Sequence, residues 1–191
     1  SAASCAIQNI RFSANFADIV AMITVTAAEA LIDGCQFTAA ATNMNWIDVI
    51  DCSGADDSAD GLTVTNCQAF AVDASTDSFI EITNNINRLV VTNNFVVHDH
   101  ANATPFIEHA TGGIMLNALI KGNSYHTLST AVDNIVTNDV TTNTGEVSYN
   151  LASHADTGGD IVVDLTGAGM FENYGTGVIT AQGYLNPAAD S

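Results

Sequence analysis

The chain has 191 residues, 47% of them apolar, enough to bury a core and too many for a disordered segment. Its 21 acids face only three bases, Arg11, Arg88 and Lys121, for a formal charge of −18. Three cations build no basic patch, which disfavours a nucleic-acid backbone, an anionic membrane or a polyanionic substrate as partner. No apolar run approaches the ~18 residues of a membrane-spanning helix. The chain opens inside a strand pattern with no initiator Met or signal peptide. It therefore reads as a fragment or processed product, with an N-terminal attachment part expected before Ser1.

In chain order, a short pattern returns. Ile7-Gln8-Asn9-Ile10-Arg11-Phe12 is followed by Ile32-Asp33-Gly34-Cys35-Gln36-Phe37, then Val64-Thr65-Asn66-Cys67 with Phe70. Val91-Thr92-Asn93-Asn94-Phe95 and Ile120-Lys121-Gly122-Asn123-Ser124-Tyr125 continue it, and weaker copies end at Asn150 and at Phe171-Glu172-Asn173-Tyr174. Markers at 35, 67, 94, 123, 150 and 173 give steps of 32, 27, 29, 27 and 23 residues. No stretch keeps a 3.6-residue period, so the repeat is not helical. Ile32, Val64, Val91 and Ile120 are expected to point inward, each followed by an outward polar residue. Asn9, Gly34, Asn66, Asn93 and Gly122 share a position and are types that tolerate a left-handed backbone, which places a sharp bend in every copy. Cys35, Cys67, Asn94, Asn123 and Asn150 then fall one above another as a structural ladder, in which buried Asn side chains can bond to one another. An aromatic follows at a variable offset: Phe12, Phe37, Phe70, Phe95, Tyr125 or Tyr174.

A second strand lies between these copies, at Met22-Ile23-Thr24-Val25, Trp46-Ile47-Asp48-Val49, Phe79-Ile80-Glu81-Ile82, Phe106-Ile107-Glu108-His109, Val132-Asp133 and Val163-Asp164. Val, Ile, Thr and Phe dominate it, and Pro105 and Pro187 sit at segment edges. Short strands with an in-phase bend predict an all-β fold, a right-handed parallel β-helix of about six rungs over residues 1–175. A sandwich is the alternative, but it would not keep bends and stacked polar residues in phase. Residues 176–191 fall out of phase and are expected to cap the last rung or touch a neighbour.

With Ile47, Val49, Ile80, Ile82, Ile107, Val163 and Leu165 inside, alternation puts Asp48, Glu81, Glu108, Asp133 and Asp164 in one outer column. That column reads as a solvated stripe, as a site for cations between neighbours (Ca²⁺ suits such oxygen ligands), or as a carboxylate pair for glycoside hydrolysis. Trp46, Phe79, Phe106, Ala131 and Val162 would form an outer apolar ridge, read as a subunit contact in a homotrimer or as a surface covered by the chain's own loops. His98-Asp99-His100, with His109 and His126, could offer metal ligands but fits ordinary loop histidines better. Asp56-Asp57 reads as a polar turn without full calcium-loop spacing. The four cysteines fit no metal spacing and are too few for a disulfide scaffold, which leaves buried thiols. No Ser/His/Asp arrangement or phosphate-cradling loop stands out, so no catalytic residue and no cofactor is assigned.

These rung motifs, with Phe171-Glu172-Asn173-Tyr174 and the closing Gly183-Tyr184-Leu185-Asn186-Pro187-Ala188-Ala189-Asp190, resemble the β-helix structural proteins of tailed bacteriophages, notably of marine bacteria. The resemblance spans nearly the whole chain, and its closing run is the more specific part. It implies a non-enzymatic, usually trimeric virion surface component: a capsid decoration, head fibre or tail fibre/spike. Its implied partners are the major capsid protein or the tail, and a host surface glycan. A glycan-binding or glycan-hydrolysing tailspike domain and a bacterial surface adhesin are the alternative expectations.

Overall fold

A computed structural model of the chain describes residues 4–39, 41, 44–71, 78–98, 105–109, 112–127, 136–137, 143–154, 171–174, 177–179 and 185–187. Strands are the only regular elements among the described residues, and they stack as a parallel β-solenoid.

Three parallel sheets wrap the core. The first sheet has seven strands, Ala6–Gln8, Leu31–Asp33, Thr63–Thr65, Val90–Thr92, Ala118–Lys121, Gly145–Ser148 and Phe171–Tyr174, each paired with the equivalent strand of the next level. The second sheet stacks Arg11–Ala14, Gln36–Ala39, Gln68–Phe70, Phe95–His98, Ser124–Thr127, Leu151–His154 and Gly177–Ile179. Leu185–Pro187 lies antiparallel along Gly177–Ile179 and is the last strand of this sheet among the described residues. The third sheet holds Ile19–Thr24, Trp46–Cys52, Ile80–Ile82, Ile107–His109 and Val136–Thr137. A short ladder of Ile86–Asn87 on Met115–Leu116 fills the corner before the first sheet resumes.

The register explains the sequence pattern. Ile7, Ile32, Val64, Val91, Ile120 and Val147 stack as one column. From Ile32 to Val147 these side chains are at most 1% exposed. In the third sheet Ile23, Ile50, Ile80 and Ile107 stack likewise. Equivalent side chains thus meet their own kind ~4.8 Å away, and these aliphatic columns line the interior.

The bend between the first and second sheets is set by backbone sign. Asn9, Gly34, Asn66, Asn93 and Gly122 all have φ between 54° and 68°, and Tyr149 continues the series at 53°. Each bend donates its N–H to the level above: Asn9 to Asp33, Gly34 to Thr65, Asn66 to Thr92, Asn93 to Lys121 and Gly122 to Ser148. Glycine at 34 is also a packing requirement, because a Cβ there would lie 2.6 Å from Asn9 Oδ1.

A second left-handed column, which the sequence reading missed, runs through Glu29, Gly61, Arg88 and Asn117. These lie six residues before 35, 67, 94 and 123, so the same spacing was present in the sequence. Glu and Arg hid it, since neither is a residue type that favours positive φ. Arg88 reaches past Gly61 to Glu29 at 2.6 Å, an exposed pair.

Candidate functional site

The corner after the main bend carries a continuous polar ladder. Asn94, Asn123 and Asn150 are 1–3% exposed. Asn94 Nδ2 donates to Asn123 Oδ1, and Asn123 Nδ2 to Asn150 Oδ1, both at 2.9 Å. Each carboxamide also serves the backbone of the preceding levels. Cys67 N–H donates to Asn94 Oδ1, Asn94 N–H to Asn123 Oδ1 and Asn123 N–H to Asn150 Oδ1. In return Asn94, Asn123 and Asn150 Nδ2 donate to the carbonyls of Val64, Val91 and Ile120. Cys35 and Cys67 occupy the same position with a single weak donor: their thiols reach the carbonyls of Ile7 and Ile32 at 3.6 and 3.7 Å. Asn173 does not extend this column, because it pairs with Val147 inside the first sheet.

The outer acidic column is shifted from its expected place. Ile50-Asp51-Cys52 aligns with Ile80-Glu81-Ile82, and Glu81 with Glu108. The stacked carboxylates are therefore Asp51, Glu81 and Glu108. Asp48 is displaced by three residues, and an odd slip moves a side chain to the other face. It is 5% exposed and its Oδ1 accepts the Ser78 N–H at 3.1 Å. Asp133 and Asp164 lie outside the described residues. Asp51 Oδ2 accepts from Ser53 Oγ at 2.8 Å, Asp51 Oδ1 is buried with no hydrogen-bond partner, and Glu108 accepts from Ser78 Oγ at 3.3 Å. Beside this column the Cys52 thiol is pushed up from 9.0 to about 12, first by burial and then by the Asp51 and Glu81 charges. Among the described residues no group of three His, Cys, Asp or Glu side chains is arranged to hold a metal ion.

The apolar ridge does not stand on the outside. Trp46, Phe79 and Phe106 are each 0% exposed; Ala131 and Val162 lie outside the described residues. Phe79 and Phe106 sit one residue ahead of their strands, where Phe79 N–H and Ile80 N–H both donate to the Phe106 carbonyl. This irregular bend breaks the alternation and lets consecutive residues, Phe79 and Ile80, both face inward. The two rings stack at 5.1 Å, and Phe106 meets Tyr125 at 5.3 Å. Trp46, three residues before its expected alignment, packs near His98 in the same core. Of the histidines, His98 and His109 are buried, with His109 Nε2 at 3.0 Å from the Asn84 carbonyl; His100 is outside the described residues.

Asp56 and Asp57 form a turn stacked on the next level. Asp57 N–H donates to the Asn85 carbonyl and Asp56 Oδ1 accepts Asn85 N–H. Asp60 Oδ1 accepts Asn87 N–H at 2.7 Å, and Asn85 Oδ1 accepts Ile114 N–H at 2.8 Å. Cys5 is exposed, while Cys35, Cys52 and Cys67 are buried free thiols. Lys121 bridges Glu146 at 3.2 Å and lies over the Tyr149 ring. Contact with the Ser148 hydroxyl, and then with Lys121, holds the Glu146 carboxyl below its usual range.

The large apolar side chains left exposed include Phe70 and Phe95 on the second sheet, 42% and 41% exposed with rings 5.7 Å apart, and Leu151 at 39%. The first levels expose Ile10, Phe16 and Val20, and an apolar groove opens there between Ile7, Ile23, Val25, Leu31 and Ile32. No family model, no curated protein and no solved structure matches the chain.

Proposed function

We propose that this chain is a structural, non-enzymatic component displayed on the surface of a tailed-phage particle, as a decoration, fibre or spike, where it acts by shape and stiffness. One observation carries the reading: a set of buried polar side chains spends bonds on the backbone of adjacent levels. Asn94, Asn123, Asn150 and Asn143 do so, and Asp48 does the same for Ser78. Such bonds stiffen a rod, because each level is locked to the next through both backbone and side chains. The charge of −18 favours solubility of many copies held close together. The resemblance of the rung and closing motifs to phage β-helix proteins supplies the context.

Immunogold labelling of intact particles carrying the gene tests it. Regular label on heads or tails is expected, and label confined to host cells would overturn the assignment. The Asp51–Glu81–Glu108 stack favours a second reading, a glycan-hydrolysing spike, since retaining hydrolysis uses carboxylates ~5 Å apart. Release of reducing sugar from host polysaccharide, abolished by Glu81→Gln and Glu108→Gln, would establish it instead.

A further inference from the structure

Two outward columns of the second sheet run in register: Arg11–Gln36–Gln68–Phe95–Ser124–Leu151 and Ser13–Thr38–Phe70–Val97–His126. Neither contains an acid, and among the described residues no strand of this sheet carries Asp or Glu. The first sheet carries Asp33, Glu146 and Glu172, and the third Asp48, Asp51, Glu81 and Glu108. The bends add Asp18, Glu29, Asp56, Asp57 and Asp60. An acid-free face on a chain of charge −18 is therefore a local exception. It also holds Phe70, Phe95 and Leu151.

We propose that copies of this chain associate with one another through the outer face of the second sheet, with Phe70, Phe95 and Leu151 at the centre of the contact. A cationic partner would be drawn to the acid-bearing faces and would gain nothing from this one. A second copy is repelled by the acid-bearing faces, whereas on this one no carboxylate opposes another and Arg11, at the first level, is its one permanent charge among the described strands. Gln36 and Gln68 already bond to each other at 3.4 Å along the column, and their free amide groups are self-complementary across a symmetric contact. The contact depends on this surface alone and holds whether or not the rod belongs to a virion.

Sedimentation equilibrium on the intact chain tests the proposal. The expected mass is a multiple of the 19.8 kDa monomer. Association should strengthen with added salt, because screening removes overall repulsion and leaves the apolar contact. Phe70→Gln with Phe95→Gln should weaken association by at least about tenfold, the scale of losing ~1.4 kcal/mol from a hot spot. Because ring removal can disturb folding, Gln36→Glu with Gln68→Glu serves as a second variant: it puts two carboxylates on the face and leaves the core untouched. That pair should give a folded monomer by circular dichroism. A wild-type chain that stays monomeric in high salt, or a Gln36→Glu/Gln68→Glu chain of unchanged mass, would overturn the proposal. So would association that weakens steadily as salt rises, which would indicate an ion-paired contact elsewhere. Glycan capture by a wild-type monomer would make the aromatics a sugar platform and also reject it.

Discussion

Replacing Asn123 by Leu removes four side-chain hydrogen bonds from a position 2% exposed: those accepted from Asn94 N–H and Nδ2, and those given to Val91 O and Asn150 Oδ1. Asn94 Nδ2 keeps Val64 and Asn150 Oδ1 keeps the Asn123 N–H, but the Asn94 N–H loses the acceptor it has here. A buried group left without a partner costs ~1–3 kcal/mol. With the Asn94 amide stranded and the Val91 carbonyl weakened, the loss is about 3–5 kcal/mol, and the added apolar burial returns ~1–2. The net cost of about 1–4 kcal/mol corresponds to a drop in Tm of roughly 2–16 °C for a chain of this size. Asn123→Cys should cost less, because Cys67 and Cys35 show that a thiol at this position still reaches the carbonyl below. Thermal and urea unfolding followed by circular dichroism should therefore rank wild type above Cys and Cys above Leu. If the Leu variant melts with the wild type, the ladder contributes nothing and the reasoning fails.

Phe79→Ala should destabilise by about 3–5 kcal/mol, as expected for a fully buried ring, without changing the native mass in sedimentation. Gly34→Ala should cost at least ~1 kcal/mol, because φ is 64° and the new Cβ would meet Asn9 Oδ1. Asn9→Gly should recover part of that loss, and a double-mutant cycle in urea measures the coupling. Native chain should react with a thiol reagent once, at Cys5, and unfolded chain at all four cysteines. The folded state also holds the Cys52 thiol protonated up to about 12 and Cys67 to about 11, against 9.0 unfolded. Above pH 9 the unfolded chain releases protons that the folded chain keeps, so stability is intact below pH 9 and falls as pH rises. The slope for each thiol approaches ~1.4 kcal/mol per pH unit. Cys52→Ala should make that slope shallower in urea titrations between pH 9 and 11.

The first bend and its ladder were legible because they depend on residue types with narrow backbone and bonding preferences. The aromatics after this bend show only a variable offset in the sequence, yet parity accounts for their faces. Phe12, Phe37 and Tyr125 follow positions 10, 35 and 123 by two residues and lie on the inner side; Phe37 and Tyr125 are at most 2% exposed. Phe70 and Phe95 follow 67 and 94 by three and by one, and stand outside. Period-two alternation requires this split. The third sheet resisted because the strand Trp46–Cys52 is longer than its partner Ile80–Ile82, so alignment by the leading aromatic slipped three residues. That slip exchanged Asp48 for Asp51. The bends before Phe79 and Phe106 leave no sign in period-two reasoning, because an irregular backbone can turn two neighbours inward.

Stacking also accounts for the composition. A side chain on a parallel level faces its equivalent ~4.8 Å away, where like charges repel by ~1 kcal/mol in water. Neutral polar groups can bond to their own kind, as Thr65 does with Thr92, Gln36 with Gln68 and Asn87 with Asn117. This favours a charged fraction of only 13%. The sign of the remaining charge has a separate cause. At the corners, backbone N–H groups need acceptors from an adjacent level, and side-chain oxygens of Asp48, Asp56, Asp60, Asn85, Asn94, Asn123, Asn143 and Asn150 supply them. Lysine and arginine carry donors only. A fold whose corners are closed by acceptors selects aspartate and asparagine, because the bases cannot supply those acceptors.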